Sequence, residues 1–155
     1  MDRMERANEY HHRGFNCCQS VAAAFSDLTG LSEQESFNIS AGFGAGAGTG
    51  ELCGAVSGAI MTLGLLTPVD PADPVGSKKR TVAKSKELQK RFAERFGYLR
   101  CQDLLKNRTD AEAETSAAKR LGLTKHCDIM VVTAVEIVEE MLQEEAQGRQ
   151  GTGDT

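Results

Sequence analysis

The residues of this chain best suited to chemistry are its five cysteines: Cys17, Cys18, Cys53, Cys101 and Cys127. A free cysteine can serve as a small buried apolar residue, which accounts for one or two more readily than for five. Thiolates attack and resolve disulfides and ligate soft metals. The candidate chemistries are therefore dithiol–disulfide exchange, an iron–sulfur cluster and a zinc site. No two cysteines are spaced C-x-x-C, so neither a thioredoxin-type motif nor a zinc ribbon is encoded locally. Any joint site has to be assembled by the fold from distant segments. His11, His12 and His126 add candidate ligands or proton shuttles. His126 is the best placed of them, because it adjoins Cys127.

A second chemical candidate is the glycine-rich run over 42–50, GFGAGAGTG. A phosphate-binding P-loop needs a Gly-Lys pair, and the chain has none. A dinucleotide fingerprint needs a preceding strand, whereas 32–40 reads as helix. The run is better explained as backbone that must pass close to the cysteine site, or to a cofactor there.

The elements that must position these groups read as helices. Helical patterns cover 2–12 and 16–28, the second with Asn16 as N-cap and Gly30 at its end. Ser32 and Glu35 form a capping box that opens a short helix through Ile39. From 53 to 65 the chain is apolar nearly all round, which predicts a buried central helix. Its Gly54 and Gly58 would let a neighbouring helix come close. Residues 67–77 hold all three prolines and read as a linker or lid. Over 79–96, Val82, Leu88, Phe92 and Phe96 share one arc opposite Lys and Arg. A short helix over 99–105 carries Cys101, and the polar stretch up to 125 is a loop or short helix. Over 127–144, Val131, Ala134, Val135, Val138 and Leu142 make one stripe. No alternating strand pattern appears. The expected fold is therefore all-α: a compact single-domain helical bundle over 1–146 around a Gly/Ala-rich central helix, with a disordered polar tail over 147–155.

On these elements the cysteines converge. Cys17 and Cys18 flank the apolar arc of the second helix, and Cys101 and Cys127 lie on the apolar sides of theirs. Cys53 opens the central helix, where the positive helix end favours a thiolate, so it is expected to be the most acidic thiol. Four helical segments each bring a cysteine in near an N-terminal end, which is compatible with one site at one end of a bundle.

Together these residues resemble a known family. Phe15-Asn16-Cys17-Cys18-Gln19-Ser20-Val21, Cys53-Gly54-Ala55-Val56-Ser57-Gly58, Cys101-Gln102-Asp103-Leu104-Leu105 and finally Cys127 are similar to the redox-active proteins named for their C-GCAxxG-C-C cysteine pattern. The similarity covers about 5–143. It implies a small, mostly helical bacterial or archaeal protein whose redox-active cysteines correspond to Cys17, Cys53, Cys101 and Cys127. Cys18 stands where Ala is expected and falls outside the pattern.

Composition limits the function classes. The net charge of −4 hides a basic middle, with fourteen basic and eight acidic residues over 67–125, and an acidic end, with one basic and seven acidic over 126–155. A nucleic-acid binder shows an overall basic excess, so the basic stretch over 78–95 is expected to be a solvated or charge-paired helix face and no nucleic acid is expected as partner. The start is charged from residue 2 and the most apolar run is too short to span a bilayer. A soluble, cytoplasmic protein with no membrane contact is expected. Four mutually close cysteines would suit a redox iron–sulfur cluster or a structural zinc ion, with Cys17, Cys53, Cys101 and Cys127 as ligands. Two close pairs would suit disulfide exchange, with Cys53 as nucleophile and a redox partner protein to accept or supply electrons. A helical adaptor with inert thiols is the remaining class.

Overall fold

The structure is a computed structural model that describes residues 1–153, with side chains through Arg149. Among the described residues the chain forms nine α-helices: α1 (Arg3–His12), α2 (Cys17–Ala24), α3 (Ser26–Thr29), α4 (Glu33–Ser40), α5 (Gly54–Leu65), α6 (Pro74–Phe96), α7 (Cys101–Lys106), α8 (Ser116–Leu121) and α9 (His126–Gly153). Short 3₁₀ turns occupy Ala41–Phe43 and Asp110–Glu114. The only strand-like pairing among the described residues is a single antiparallel bridge, Leu52 to Arg100. The fold is all-α.

Local chemistry sets four of the helix starts. Asp2 with Glu5, Asn16 with Gln19 and Ser32 with Glu35 each close a capping box, satisfying backbone N–H groups at both ends of the motif. α6 begins earlier than its amphipathic pattern suggests. Pro74 fits the first helical position and the Asp73 carboxylate accepts from the Gly76 N–H at 3.0 Å, so the linker is shorter than 67–77. The helix expected over 16–28 breaks at Phe25, whose φ of −102° and ψ of 13° leave the helical region; α3 follows and stops at left-handed Gly30.

α2 lies against α5, and the glycines of α5 make this contact possible. A Cβ on Gly58 would sit 2.8 Å from the Cys18 carbonyl oxygen, and one on Gly54 3.0 Å from that of Phe43. α5 is buried along Ala55, Val56, Ala59 and Leu63, while Leu65 at its end is exposed. It shares the middle of the molecule with α9, which is buried on every side from Asp128 to Val135 because α1, α2, α5, α6 and α8 pack around it. The stripe expected on α9 is thus part of a wider buried surface. On α6, Leu88 and Phe92 are fully buried, but Val82, at the edge of the predicted arc, is exposed.

The opposite charges of the middle and the end of the chain meet across α6 and α9. Arg91 reaches Glu144 at 2.6 Å, Arg95 reaches Glu140 at 2.7 Å and Lys84 reaches Glu145 at 3.0 Å. α9 itself continues to Gly153, past Gln147 where the polar, glycine-bearing composition pointed to a disordered tail. Ala146, Gln147 and Arg149 are good helix formers and offset Gly148. The rest of that expected tail, 154–155, lies outside the described residues. No helix among the described residues is long and apolar enough to cross a membrane.

Candidate functional site

Four cysteines stand at four helix starts. Cys17 is the first residue of α2, Cys101 the first of α7, Cys127 the second of α9, and Cys53 is the N-cap of α5. All four line one cavity of about 220 Å³. A residue at a helix start lies in the positive end of the helix dipole, an environment that favours thiolate over thiol. His11, His126 and the apolar side chains of Leu104, Leu105 and Met130 complete most of the wall.

The bridge between Leu52 and Arg100 explains how two of these cysteines meet. The Cys53 N–H donates to the Leu99 carbonyl at 2.9 Å and the Cys101 N–H to the Glu51 carbonyl at 2.6 Å. The Arg100 guanidinium, 3.2 Å from the Glu51 carboxylate, closes the same crossing from outside. Cys17 is set against the first turn of α5, where a Cβ on Gly54 would lie 3.3 Å from its own. The glycine run borders the site as expected. Asn16 Nδ2 donates to the Ala41 carbonyl at 2.9 Å, Gly44 packs so close to Asn16 that a Cβ would collide with it, and Ala45 reaches the cavity wall. Ala45 and Ala47 take left-handed φ values of 54° and 58°, a conformation that costs an L-residue roughly 1–2 kcal/mol.

The two histidines on the wall each lean on a carboxylate. His11 Nδ1 is 2.5 Å from Asp128 Oδ1, and its Nε2 is 3.9 Å from Cys17 Sγ. The second oxygen of Asp128 is 3.2 Å from His12 Nε2. His126 Nδ1 is 2.7 Å from Glu112 Oε2. His11 is aimed by the last turn of α1, where Tyr10 is buried edge-on against Phe37, itself stacked on Phe15 with ring centroids 3.8 Å apart. His12 is more than half exposed and lies off the cavity wall.

The thiols differ sharply in acidity. Cys127 is pulled down to about 6, chiefly by the neighbouring Cys17 thiol, with His126 and His11 adding to the effect against burial. Cys17 moves the other way, held protonated by the neighbouring Cys127 and by its own burial. Cys53 is pushed up to about 11: burial outweighs the N–H groups of Val56 and Ala55 that favour its thiolate. The expectation that Cys53 is the most acidic thiol is therefore overturned. Its helix end does act on it, and dehydration acts more strongly. Cys101 is also raised, by burial and then by the Cys127 charge. Cys18 faces away, fully buried with its sulfur 3.9 Å from Met61 Sδ, and burial raises it to about 12.

Cysteine is the right donor type for zinc or an iron–sulfur cluster. Among the described residues, however, no group of three or more His, Cys, Asp or Glu side chains is arranged to hold a metal ion. All five cysteines are free thiols.

Residues 15–141 match the family described as "Putative redox-active protein (C_GCAxxG_C_C)". The chain belongs to this family. The matched span contains all five cysteines and Asp128, Glu112 and His126, while His11 and His12 precede it. No curated protein and no solved structure matches the chain significantly.

Sequence reasoning missed Asp128 and Glu112. Asp128 left a signal: it precedes Val131, Val132 and Val135 by three, four and seven positions, which puts a carboxylate on the core-facing side of a helix. Glu112 left none, since the turn that carries it has no apolar periodicity.

Proposed function

We propose that the protein performs reversible thiol–disulfide exchange, with Cys127 as nucleophile and Cys17 as the resolving thiol. One observation carries this reading: Cys17 and Cys127 line the same cavity, where their mutual influence holds Cys127 below the ordinary thiol range and Cys17 above it. At neutral pH Cys127 is then charged and nucleophilic while its neighbour keeps a proton. The Cys127 thiolate attacks one sulfur of an incoming disulfide and expels the other as a thiolate. Cys17, after losing its proton, attacks Cys127 Sγ and expels the second. Two electrons pass from the protein dithiol to the partner, which leaves as two thiols, and the reverse sequence restores the protein. Cys53 and Cys101 stay protonated at neutral pH and wall the cavity.

A metal-holding reading rests on a different observation, the convergence of four thiols on one cavity. Anaerobic purification followed by metal analysis separates the two. Under the exchange reading, the metal-free protein loses two free thiols on treatment with excess oxidised dithiothreitol or glutathione, and regains them on reduction. Cys127→Ser and Cys17→Ser abolish that reversible loss, and Cys18→Ala leaves it intact. Retention of the reversible loss in Cys127→Ser contradicts the assignment.

A further inference from the structure

Resolution of a mixed disulfide requires Cys17 to give up a proton that the free protein holds tightly. In the resting site the charge on Cys127 favours keeping that proton on Cys17. Once Cys127 is joined to an incoming sulfur it carries no charge, and that influence is gone. The basic atom beside Cys17 is His11 Nε2, at 3.9 Å from its sulfur. Nδ1 of the same ring lies 2.5 Å from the buried Asp128 carboxylate. A carboxylate can only accept, so Nδ1 carries the hydrogen and Nε2 presents its lone pair toward Cys17. Asp128 is held from its other side by His12, which fixes the carboxylate against rotation.

We propose that His11 is the base that deprotonates Cys17 in the resolving step, with Asp128 as its positioning residue. The inference rests on the exchange reading above and assigns a role to two residues outside the cysteine pattern. The steps balance. The Cys17 proton passes to His11 Nε2, the imidazolium formed is stabilised by Asp128, and the Cys17 thiolate attacks Cys127 Sγ. The Cys127–substrate S–S bond breaks, the departing thiolate takes the proton from His11, and the Cys17–Cys127 bond remains.

The groups facing this relay come from several helices. His12 is its neighbour on α1, and α9 supplies Asp128, Cys127 and His126. Cys53 and Cys101 share the cavity wall from α5 and α7. Glu112, from the Asp110–Glu114 turn, engages His126 at 2.7 Å and not His11. With Cys53 and Cys101 protonated, His11 is the group placed to take a proton from Cys17.

The test uses the full reduced chain mixed with cystamine, acid-quenched at intervals and read by mass spectrometry, so that the two steps are timed separately. The wild type should show a short-lived cystamine adduct on Cys127 and then the internal disulfide. In His11→Gln the adduct still forms but its resolution slows by roughly a hundredfold or more at neutral pH, and the deficit shrinks as the pH rises and hydroxide takes over the proton. Added imidazole should restore the resolving step in His11→Ala. Asp128→Asn, which serves also if the His11 variants do not fold, should slow the same step and shift its pH profile. Resolution within twofold of wild type, with an unchanged pH profile, in the folded variants overturns the proposal and leaves the exchange reading standing. Absence of any adduct on Cys127 in the wild type overturns both.

Discussion

The proximity of two thiols in one cavity divides the labour at the site: it lowers Cys127 and raises Cys17, so the two cannot ionise alike. Helix N-termini alone would favour all four thiolates equally, and burial alone would suppress all four. The difference between Cys127, at about 6, and Cys53, at about 11, comes from what each touches. The sign of the pH dependence follows. Below pH 6 Cys127 is a thiol, and above it a thiolate that iodoacetamide can alkylate. Alkylation followed by peptide mapping should therefore show Cys127 reacting with a midpoint near pH 6, well below the other cysteines. Cys17→Ala removes the neighbouring thiol that lowers Cys127 and should move that midpoint upward; an unmoved midpoint would mean the acidity has another source. At this scale the sequence showed which four cysteines converge on one cavity and which end of each helix they occupy. It did not show the ranking, because helix position is local while burial and the reach from His11 to Asp128 depend on α1 meeting α9.

At the scale of elements, the site exists because α2 can approach α5 and because a single bridge ties the start of α5 to the start of α7. Gly58→Ala places a methyl carbon 2.8 Å from the Cys18 carbonyl oxygen and 3.0 Å from Val21 Cβ. It should destabilise by about 1–3 kcal/mol, read as a lower midpoint in urea. The loop beside the cavity offers the converse change. Ala47 is exposed, with a φ of 58°, so Ala47→Gly should stabilise by about 0.5–1 kcal/mol as relief of the left-handed conformation outweighs the added freedom of the unfolded chain. A lower stability in that variant would show that the alanine makes contacts that matter more than its backbone. The capping box at Ser32, the N-cap at Asn16 and the two glycines of α5 were legible in the sequence, since each acts within a turn or two of helix. The Leu52–Arg100 bridge was not, because one paired residue on each side leaves no alternating pattern. Nor was the break at Phe25, where helical periodicity runs on through residues that the backbone divides between α2 and α3.

The whole molecule is organised around α9, enclosed by five helices, with the thiol cavity at its start and the ion pairs to α6 along its later turns. Those pairs explain a charge distribution that an overall net charge of −4 conceals: the basic face of α6 is partly occupied by Glu140, Glu144 and Glu145. Duplex DNA of random sequence should accordingly show no tight, salt-sensitive binding at physiological ionic strength. The core and the chemistry should also be separable. Leu88, fully buried midway along α6, lies outside the set of residues that wall the cavity. Leu88→Ala should cost about 2–5 kcal/mol of stability and leave the Cys127 alkylation midpoint near pH 6.

The central claim is that the working pair is Cys17 with Cys127, and the most direct measurement is a disulfide map. The reduced, metal-free protein is oxidised with a slight excess of oxidised glutathione, free thiols are blocked with iodoacetamide in acid-denatured samples, and the linked peptides are identified by mass spectrometry before and after re-reduction. A single reversible Cys17–Cys127 link, with Cys18, Cys53 and Cys101 recovered alkylated, is the predicted result. A dominant link involving Cys53, or no reversible link at all, would contradict it.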